Sequence, residues 1–321
     1  MNRGDVRNSS LVEVQDKVQD QVPSLDTVED VQEALWTQQY VADPSLATSI
    51  FLALKLPKPL LLEGEAGVGK TEIAKVLAAI LKTDLIRLQC YEGLDVSHAV
   101  YEWNYPRQML AIRAADSTEE GRQAAMAEIF SEEFLIKRPL LQAIEASSSG
   151  RAPVLLIDEI DRADEEFEAF LLELLSDFQV SVPELGTMVA KHPPVVIITS
   201  NRTRELHDAL KRRCLYHWID YPTIDKEYTI VQTKVPGVND RLAMQIARFV
   251  HDIRQIDLYK VPGVAETLDW AAALLALNQQ ELTKEMASNT LGAILKHQED
   301  VYSVRRNNLD SLVAAAKNDS N

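Results

Sequence analysis

The feature that most constrains this chain is a glycine-rich segment at residues 59–71, which reads PLLLEGEAGVGKT. A short apolar run precedes the glycines, and apolar residues at three- and four-residue spacing follow them, which predicts a strand, a turn and a helix. The turn has the spacing G-x-x-x-x-G-K-[ST] of a phosphate-binding loop. Glycines allow the backbone to direct its N–H groups inward around a polyphosphate. The segment therefore predicts a nucleoside triphosphate site.

The motif assigns roles to the residues of this loop. Lys70 is expected to reach the β- and γ-phosphates, and the Thr71 hydroxyl is expected to bind Mg²⁺. The other candidate binding residues surround the phosphates and are Gly64, Glu65, Ala66, Gly67, Val68 and Gly69. The alternative is a glycine-rich turn that binds nothing. The complete motif between a strand and a helix argues against that alternative.

A buried strand with carboxylates at its end predicts the metal and base positions. Residues 153–159 read PVLLIDE, and a continuous apolar run of this kind is typical of a parallel strand covered on both faces. Asp158 is the candidate Mg²⁺-associated carboxylate, and Glu159 is the candidate general base for the attacking water. The pair taken alone is also compatible with an acidic helix start. The upstream phosphate loop favours the catalytic interpretation.

Polar and basic residues after two later segments complete the candidate set. Residues 195–199 predict another buried strand, which Asn201 follows. A polar residue at the carboxyl end of a parallel strand lies where open α/β sheets bind ligands, so Asn201 is a candidate to contact the water or the γ-phosphate. Arg212 and Arg213 close a short helix. They either face solvent at its carboxyl end or act as an arginine finger on a neighbour's nucleotide.

The order of the elements predicts an α/β fold. Apolar runs predict further strands at residues 85–88 and 216–219, and PELG at 183–186 predicts a hairpin joining 179–182 to 187–190. Helical patterns cover residues 135–144 and 164–178. From residue 225 strand signals vanish, and helical patterns cover 242–253, 265–277, 282–297 and 301–315. We expect a flexible tail at 1–30, a nucleotide-binding domain at 31–222 and a small helical domain at 223–321.

Three further segments carry weaker signals. Residues 90–112 contain several aromatics among glycine, asparagine and proline and predict a loop or an inserted element. Residues 114–133 are rich in alanine and glutamate and predict a surface helix. Tyr40 and Val41 precede the phosphate loop, where they either flank the nucleotide base or pack in the core.

Composition and sequence patterns argue against several classes of protein. The 321 residues include 33 basic and 49 acidic ones, a net charge of −16, which disfavours a nucleic-acid partner. We find no apolar run long enough for a membrane span and no secretory signal at the N-terminus. Cys90 and Cys214 lack C-x-x-C spacing, and no zinc or iron pattern is visible. A cytoplasmic location is therefore expected.

With these motifs in order, the chain resembles the AAA+ ATPases and, within them, the MoxR group. The resemblance covers roughly residues 31–318 and depends on GEAGVGKT, LLIDEIDRA, the PELG hairpin, IITSN and ALKRRC. The segments LYHWIDYP and FLIKRPLLQAI resemble a MoxR branch that acts in maturation of carbon monoxide dehydrogenase-type enzymes. A parallel five-stranded sheet in an αβα sandwich, followed by a helical lid, is the fold that the resemblance implies.

The resemblance also implies function. It implies ATP hydrolysis with Mg²⁺ in a hexameric ring, with ATP at subunit interfaces. Lys70 and Thr71 match Walker A, Asp158 and Glu159 match Walker B, and Asn201 matches sensor 1. Arg213 matches the finger, with Arg212 close behind. The implied partners are a protein with a von Willebrand factor A domain and a metalloenzyme client. The 90–112 insert and the hairpin would face either the pore of the ring or the partner.

One departure from the family pattern leaves alternatives open. Many AAA+ proteins carry a sensor 2 arginine at the start of a lid helix, but residues 262–267 read PGVAET. Either another residue serves, such as Arg305 or Arg306, or the lid is coupled more weakly to the γ-phosphate. Besides a remodelling chaperone, we consider a nucleotide-switched regulatory subunit with little hydrolysis, a nucleic-acid-linked motor and a small-molecule kinase.

Overall fold

The computed structural model describes residues 22–114, 129–146 and 151–318. The strands in these ranges are β1 (Leu60–Gly64), β2 (Leu85–Gln89), β3 (Tyr101–Trp103), β4 (Leu135–Lys137), β5 (Val154–Asp158), β6 (Gln179–Val182), β7 (Gly186–Val189), β8 (Val195–Ser200) and β9 (Leu215–Ile219). The helices are α1 (Val28–Thr37), α2 (Pro44–Lys55), α3 (Lys70–Leu81), α4 (Val96–Ala99), α5 (Tyr105–Ala114), α6 (Pro139–Ala146), α7 (Glu165–Asp177), α8 (Asp208–Arg213), α9 (Ile224–Lys234), α10 (Asp240–Ile253), α11 (Val264–Ala276), α12 (Lys284–Ile294), α13 (Gln298–Ser303) and α14 (Leu309–Asn318).

Five strands form a parallel sheet in the order β2-β5-β8-β1-β9. This confirms the predicted fold class, an AAA+-type αβα sandwich with a helical region after it. Strand β1 is hydrogen-bonded on both sides, with Leu62 opposite Thr199 of β8 and opposite His217 of β9. The glycine-rich loop therefore leaves a strand that is held by two neighbours.

Alternate residues of the central strands enter two different cores, because successive side chains point to opposite faces of a sheet. Leu61, Leu155 and Ile157 pack with α6, α7 and the hairpin β6–β7 on one face. Leu60 and Leu156 pack with α1, α2 and α3 on the other. Burial on both faces explains the continuous apolar runs, and each such leucine contributes about 1.5–3 kcal/mol.

The inserted element differs in part from the sequence prediction. Leu135–Lys137 is a strand and not the start of a helix, because it pairs antiparallel with Tyr101–Trp103. The helix begins only at Pro139, a residue suited to a first helical turn. Most of the helix predicted at 114–133 falls outside the described residues; within the described part, Glu132–Phe134 is a 3₁₀ turn.

The chain ends in a helical region with its own core, centred on Trp270 and Phe249. An ion pair is buried there: Arg254 donates to both oxygens of Glu227, at 2.6 and 2.7 Å. The pattern at 301–315 predicts one helix, but a π turn at Val304–Asn308 separates α13 from α14. Helix α9 was not predicted from the sequence. We refer to α9–α14 as the lid.

At the N-terminal side, helix α1 begins at Val28, within the flexible tail expected at 1–30. Thr27 caps it: the Thr27 hydroxyl accepts from the Asp30 N–H at 3.1 Å, and the Asp30 carboxylate accepts from the Thr27 N–H at 2.9 Å. This capping box satisfies N–H groups that the first turn cannot pair internally. Residues 1–21 of the expected tail lie outside the described ranges.

Candidate active site

The glycine-rich loop joins β1 to α3 and surrounds the Lys70 ammonium. Gly69 has φ +95°, a left-handed conformation that a glycine adopts without strain, and Lys70 is the first residue of α3. The ammonium donates to the carbonyl oxygens of Gly64 and Glu65, at 2.8 and 2.7 Å. Burial lowers the pKa of Lys70, and the Asp161 and Glu65 carboxylates partly oppose that effect. A buried cation in a loop of this geometry suits a polyphosphate.

Asp158 collects hydrogen bonds from three sides at the end of β5. The Thr71 and Thr199 hydroxyls donate to its Oδ1, at 3.0 and 2.6 Å. The Arg87 guanidinium of β2 donates to its Oδ2, from Nε at 3.1 Å and from Nη2 at 2.5 Å. Asp158 is buried, so these donors offset the cost of removing the carboxylate from water. A hydroxyl and a carboxylate in contact are oxygen ligands of the type that Mg²⁺ accepts.

Glu159 lies beside this carboxylate but is held by other donors. Its backbone has φ +56°, which is uncommon for a residue other than glycine. Gln89 Nε2 donates to its Oε2 at 3.2 Å, and Arg162 Nε lies 2.9 Å from the same oxygen. Its own N–H donates to the Thr199 hydroxyl at 2.9 Å. Thr199 therefore contacts both members of the acidic pair.

Asp161 fixes the loop that carries Asn201. Its Oδ1 accepts from the Asn201 N–H at 3.2 Å, and its Oδ2 accepts from the Thr203 N–H and hydroxyl at 2.9 and 2.7 Å. This carboxylate was not among the residues predicted from the sequence. The sequence signal that could have identified it is its position three residues after Asp158, because a single turn after β5 places both carboxylates at the same edge of the sheet.

The glycine-rich loop and the carboxyl ends of β5 and β8 border one cavity of about 490 Å³ between the sheet and the lid. The residues that line it include Ala66 to Thr71, Asp158, Glu159 and Asn201. Tyr40 and Val41 line it too, as do Ile230 of α9 and Leu268 of α11. Burial raises the pKa of the Tyr40 phenol. A lining that combines apolar and charged side chains suits a nucleotide, whose base is flat and whose phosphates are charged.

Residues 59–214 match the family model of the AAA domain, dynein-related subfamily. The match begins one residue before β1 and ends one residue before β9. An uncharacterised protein of Staphylococcus epidermidis is 26% identical over 207 residues, which span 62% of this chain and 70% of that protein. An uncharacterised protein of Staphylococcus haemolyticus is 25% identical over 224 residues, which span 67% and 76%.

Among solved structures, the chain is similar to the Thermotoga maritima RuvB Holliday junction branch migration motor. The identity is 18% and the TM-score 0.42, over 81% of this chain and 68% of that one. A mutant form of the same RuvB gives 18% identity and a TM-score of 0.46, over 91% and 84%. At this level the similarity concerns the fold alone.

Four arginines that the sequence offers as candidates do not line this cavity. Arg212 and Arg213 do not line it, and Arg213 Nη1 contacts the Leu172 carbonyl and the Ser176 hydroxyl of α7. Arg305 donates to the Ser288 carbonyl at 2.9 Å, and Arg306 donates to the Tyr302 hydroxyl at 3.1 Å. Neither of the last two takes the place of a sensor 2 arginine in this arrangement.

The cations that the lid does place along the cavity are Lys226 and Lys234, both on α9. Lys226 is paired with Asp43 at 2.8 Å, and Lys234 lies 3.9 Å from Glu72, the residue after Thr71. Sequence reasoning missed both, because lysines on a helix ordinarily face solvent.

Two negative findings concern only the described part of the chain. No helix there is long and apolar enough to cross a membrane. No group of three or more histidine, cysteine or acidic residues there could hold a metal ion by itself. Mg²⁺ at a phosphate loop needs no such group, because it is held by one or two protein oxygens together with substrate phosphates.

Proposed function

We propose that this chain is a Mg²⁺-dependent ATPase of the AAA+ class that works as a ring-shaped remodelling chaperone. The observation that carries the proposal is the contact between the Thr71 hydroxyl and Asp158, at 3.0 Å, on a cavity that Glu159 and Asn201 also line. A binding loop alone needs no second carboxylate and no amide opposite it. Hydrolysis needs both, to accept a proton and to orient water.

Each residue has a separate task in this proposal. The backbone N–H groups of the loop and Lys70 hold the phosphates, while Thr71 and Asp158 hold Mg²⁺. Bound Mg²⁺ neutralises charge on the phosphate oxygens. The Glu159 carboxylate first breaks its contacts with Gln89 and Arg162 and then accepts the proton of the attacking water. The Asn201 amide orients that water. Arg87 must release Asp158 Oδ2 for the carboxylate to face the metal.

The position of the arginine pair supports a ring. A residue that does not line the cavity of its own subunit can act on a nucleotide only if it reaches the cavity of a neighbouring subunit. We therefore propose a ring, a hexamer by resemblance to the family, in which Arg213 or Arg212 of one subunit completes the site of the next.

The insert and the hairpin are the proposed client surface. Helix α6 contacts both hairpin strands and also the insert helix α4, so the two elements share one support. Exposed apolar side chains on the insert, Tyr105, Met109 and Leu110, suit contact with a protein. By resemblance to the MoxR group we propose a cytoplasmic chaperone with a von Willebrand factor A partner and a metalloenzyme client.

The decisive experiment compares ATP hydrolysis by the wild type and Glu159→Gln, with Glu166→Gln, an exposed position on α7, as the control. We expect Glu159→Gln to bind ATP and to lose hydrolysis, while the control keeps both. Equal turnover in the wild type and Glu159→Gln would contradict the assignment of Glu159 as the catalytic base. The ATP-loaded Glu159→Gln protein is then the reagent for capturing a partner with a von Willebrand factor A domain.

A nucleotide switch with little hydrolysis is the second candidate. The contacts of Glu159 with Gln89 and Arg162 favour the switch, because they occupy the carboxylate oxygen that would otherwise accept a proton from water. The absence of an arginine at 262–267 also favours it. Tight ATP binding, with ATP hydrolysis no faster than in buffer without protein, would establish the switch in place of the remodelling ATPase.

A further inference from the structure

The first turn of lid helix α11 lies directly on the phosphate loop. The Val264 N–H donates to the Gly67 carbonyl at 2.9 Å, and the Ala265 N–H approaches the same oxygen at 3.4 Å. A methyl group added to Gly263 would lie 2.8 Å from the Gly67 Cα and 2.9 Å from the Ala66 carbonyl oxygen. Atoms do not approach so closely, so this contact requires a glycine at 263.

Both sides of the contact are shaped for backbone-to-backbone approach. Gly67 has φ +79°, and a methyl group there would lie 3.1 Å from the Gly263 Cα and 3.2 Å from the Glu266 carboxylate. That carboxylate accepts from the Gly263 N–H at 3.0 Å and so holds the start of the helix in place. Side chains at 67 or 263 would separate the lid from the loop.

One planar peptide links this contact to the phosphate side of the loop. The described chain has no cis peptide bond, so the Gly67 C=O and the Val68 N–H point in opposite directions within a single plane. The carbonyl is directed at the lid. The Val68 N–H is therefore directed away from the lid, in a loop whose N–H groups surround a polyphosphate. Rotation of this plane changes both contacts together.

We propose that Gly263 and Val264 are positioning residues, which couple phosphate binding to closure of the lid through the Gly67–Val68 peptide. This coupling takes the place of the arginine that residues 262–267 lack. It depends on the proposed function in one respect, namely that ATP binds at this loop. It adds that backbone hydrogen bonds between the lid and the loop report the occupancy of the loop.

Two pairs of variants test the coupling. Val264→Pro removes the donor at the first helical position, where proline is tolerated, and Gly263 already has the extended backbone that precedes proline, with φ −86° and ψ −175°. Lys284→Pro is its control, at the first position of α12 after the extended Thr283. Gly263→Ala adds the methyl group to the contact. Its control is Gly292→Ala, where an added methyl meets no atom within 4 Å.

The readouts are hydrogen exchange of α11 with and without ATP and Mg²⁺, ATP affinity by titration calorimetry, and thermal unfolding without nucleotide. In the wild type and both controls, ATP should slow exchange in α11. In Val264→Pro and Gly263→Ala this ATP-dependent slowing should be lost. Their affinity should fall about fivefold to tenfold, the value of one hydrogen bond, with unfolding without nucleotide close to the controls.

The outcomes separate the two proposals. If Val264→Pro or Gly263→Ala folds and retains the slowing and the affinity of the wild type, the coupling is overturned and the ATPase proposal stands. If the wild type binds no ATP, the proposed function fails and the coupling fails with it. Loss of the slowing in the folded variants, with both controls intact, supports the coupling.

Discussion

The Asn201 N–H donates a hydrogen bond to the Asp161 carboxylate at 3.2 Å. This bond joins the segment after β5, which carries Glu159, to the segment after β8, which carries the Asn201 amide. Two further bonds from Thr203 to Asp161 hold the same junction, so one buried carboxylate sets the distance between the proposed base and the proposed water-orienting residue. Asp161 is therefore a positioning residue for the site.

The first prediction concerns Asp161→Asn. The asparagine keeps one acceptor oxygen and replaces the other with an NH₂ group, which would face either the Asn201 N–H or the Thr203 donors. An unpaired buried donor costs about 1–3 kcal/mol, and we expect kcat to fall about tenfold or more as the junction shifts, with ATP affinity little changed. Steady-state kinetics measures this. Asp164→Asn is the control, because asparagine caps α7 as well as aspartate does.

The second prediction is a pH dependence of stability. Burial alone would raise the pKa of Asp161, but hydrogen bonds from Thr203 and Asn201 outweigh it and lower the pKa below 3.8. A depressed folded pKa stabilises the fold above the unfolded value, and the stabilisation is lost as pH falls through the folded pKa. The free energy of unfolding measured in urea should therefore fall more steeply below about pH 4 for the wild type than for Asp161→Asn. Parallel curves would contradict this assignment.

The third prediction concerns Gln89→Ala. Gln89 donates to Glu159 and so favours an orientation in which the base is engaged. Its removal leaves Arg162 as the remaining partner shown for that oxygen, and basal turnover should rise about threefold, the value of a weak hydrogen bond. Gln142→Ala, at an exposed glutamine that donates to the Lys137 carbonyl, is the control. Unchanged or reduced turnover would show that Gln89 does not restrain the base.

The fourth prediction distinguishes Arg213 from Arg212. If Arg213 completes a neighbour's site, Arg213→Ala should lower kcat about 10³-fold and leave ATP binding intact. Mixing Arg213→Ala with Lys70→Ala should restore part of the activity, because each variant supplies what the other lacks. Arg212→Ala is measured beside it. If Arg212→Ala shows the loss and the restoration instead, the finger is Arg212.

The fifth prediction concerns the thiols. Burial, reinforced by the Asp158, Asp161 and Glu159 carboxylates, raises the pKa of Cys90 to about 12, and burial raises that of Cys214 to about 12. The thiolate is the reactive form, so neither cysteine should react with iodoacetamide at pH 8 in the folded protein. Mass spectrometry should show both alkylated after denaturation in guanidinium. Rapid alkylation of the native chain would contradict this burial.

The parts of this fold that the sequence predicts are those where local pattern and tertiary environment agree. Strands β1, β5 and β8 are covered on both faces, so their apolar runs are unambiguous, and the loop motif has a fixed spacing. Leu135–Lys137 was predicted wrongly because its helical periodicity is overridden by pairing with Tyr101–Trp103, a partner far away in sequence.

The candidate site was predictable only as far as single residues carry their role in a motif. Lys70, Thr71, Asp158, Glu159 and Asn201 all line one cavity, as the motif order indicates. The hydrogen bond from Arg87 to Asp158 depends on which strand lies beside β5, and no local sequence pattern indicates this strand order. Gly263 against Gly67 likewise depends on the packing of the lid, so its proline-glycine turn carried no signal of a contact with the loop.

The position of β1 in the sheet also has a consequence for synthesis of the chain. Both neighbours of β1 come much later in the sequence, β8 at Val195–Ser200 and β9 at Leu215–Ile219. While the ribosome is still making the insert and the hairpin, the glycine-rich loop follows a strand that has no partner on either side. Contacts of such long sequence separation form late in folding. We therefore expect a nascent chain to bind a nucleotide at this loop only after residue 219 has left the ribosome.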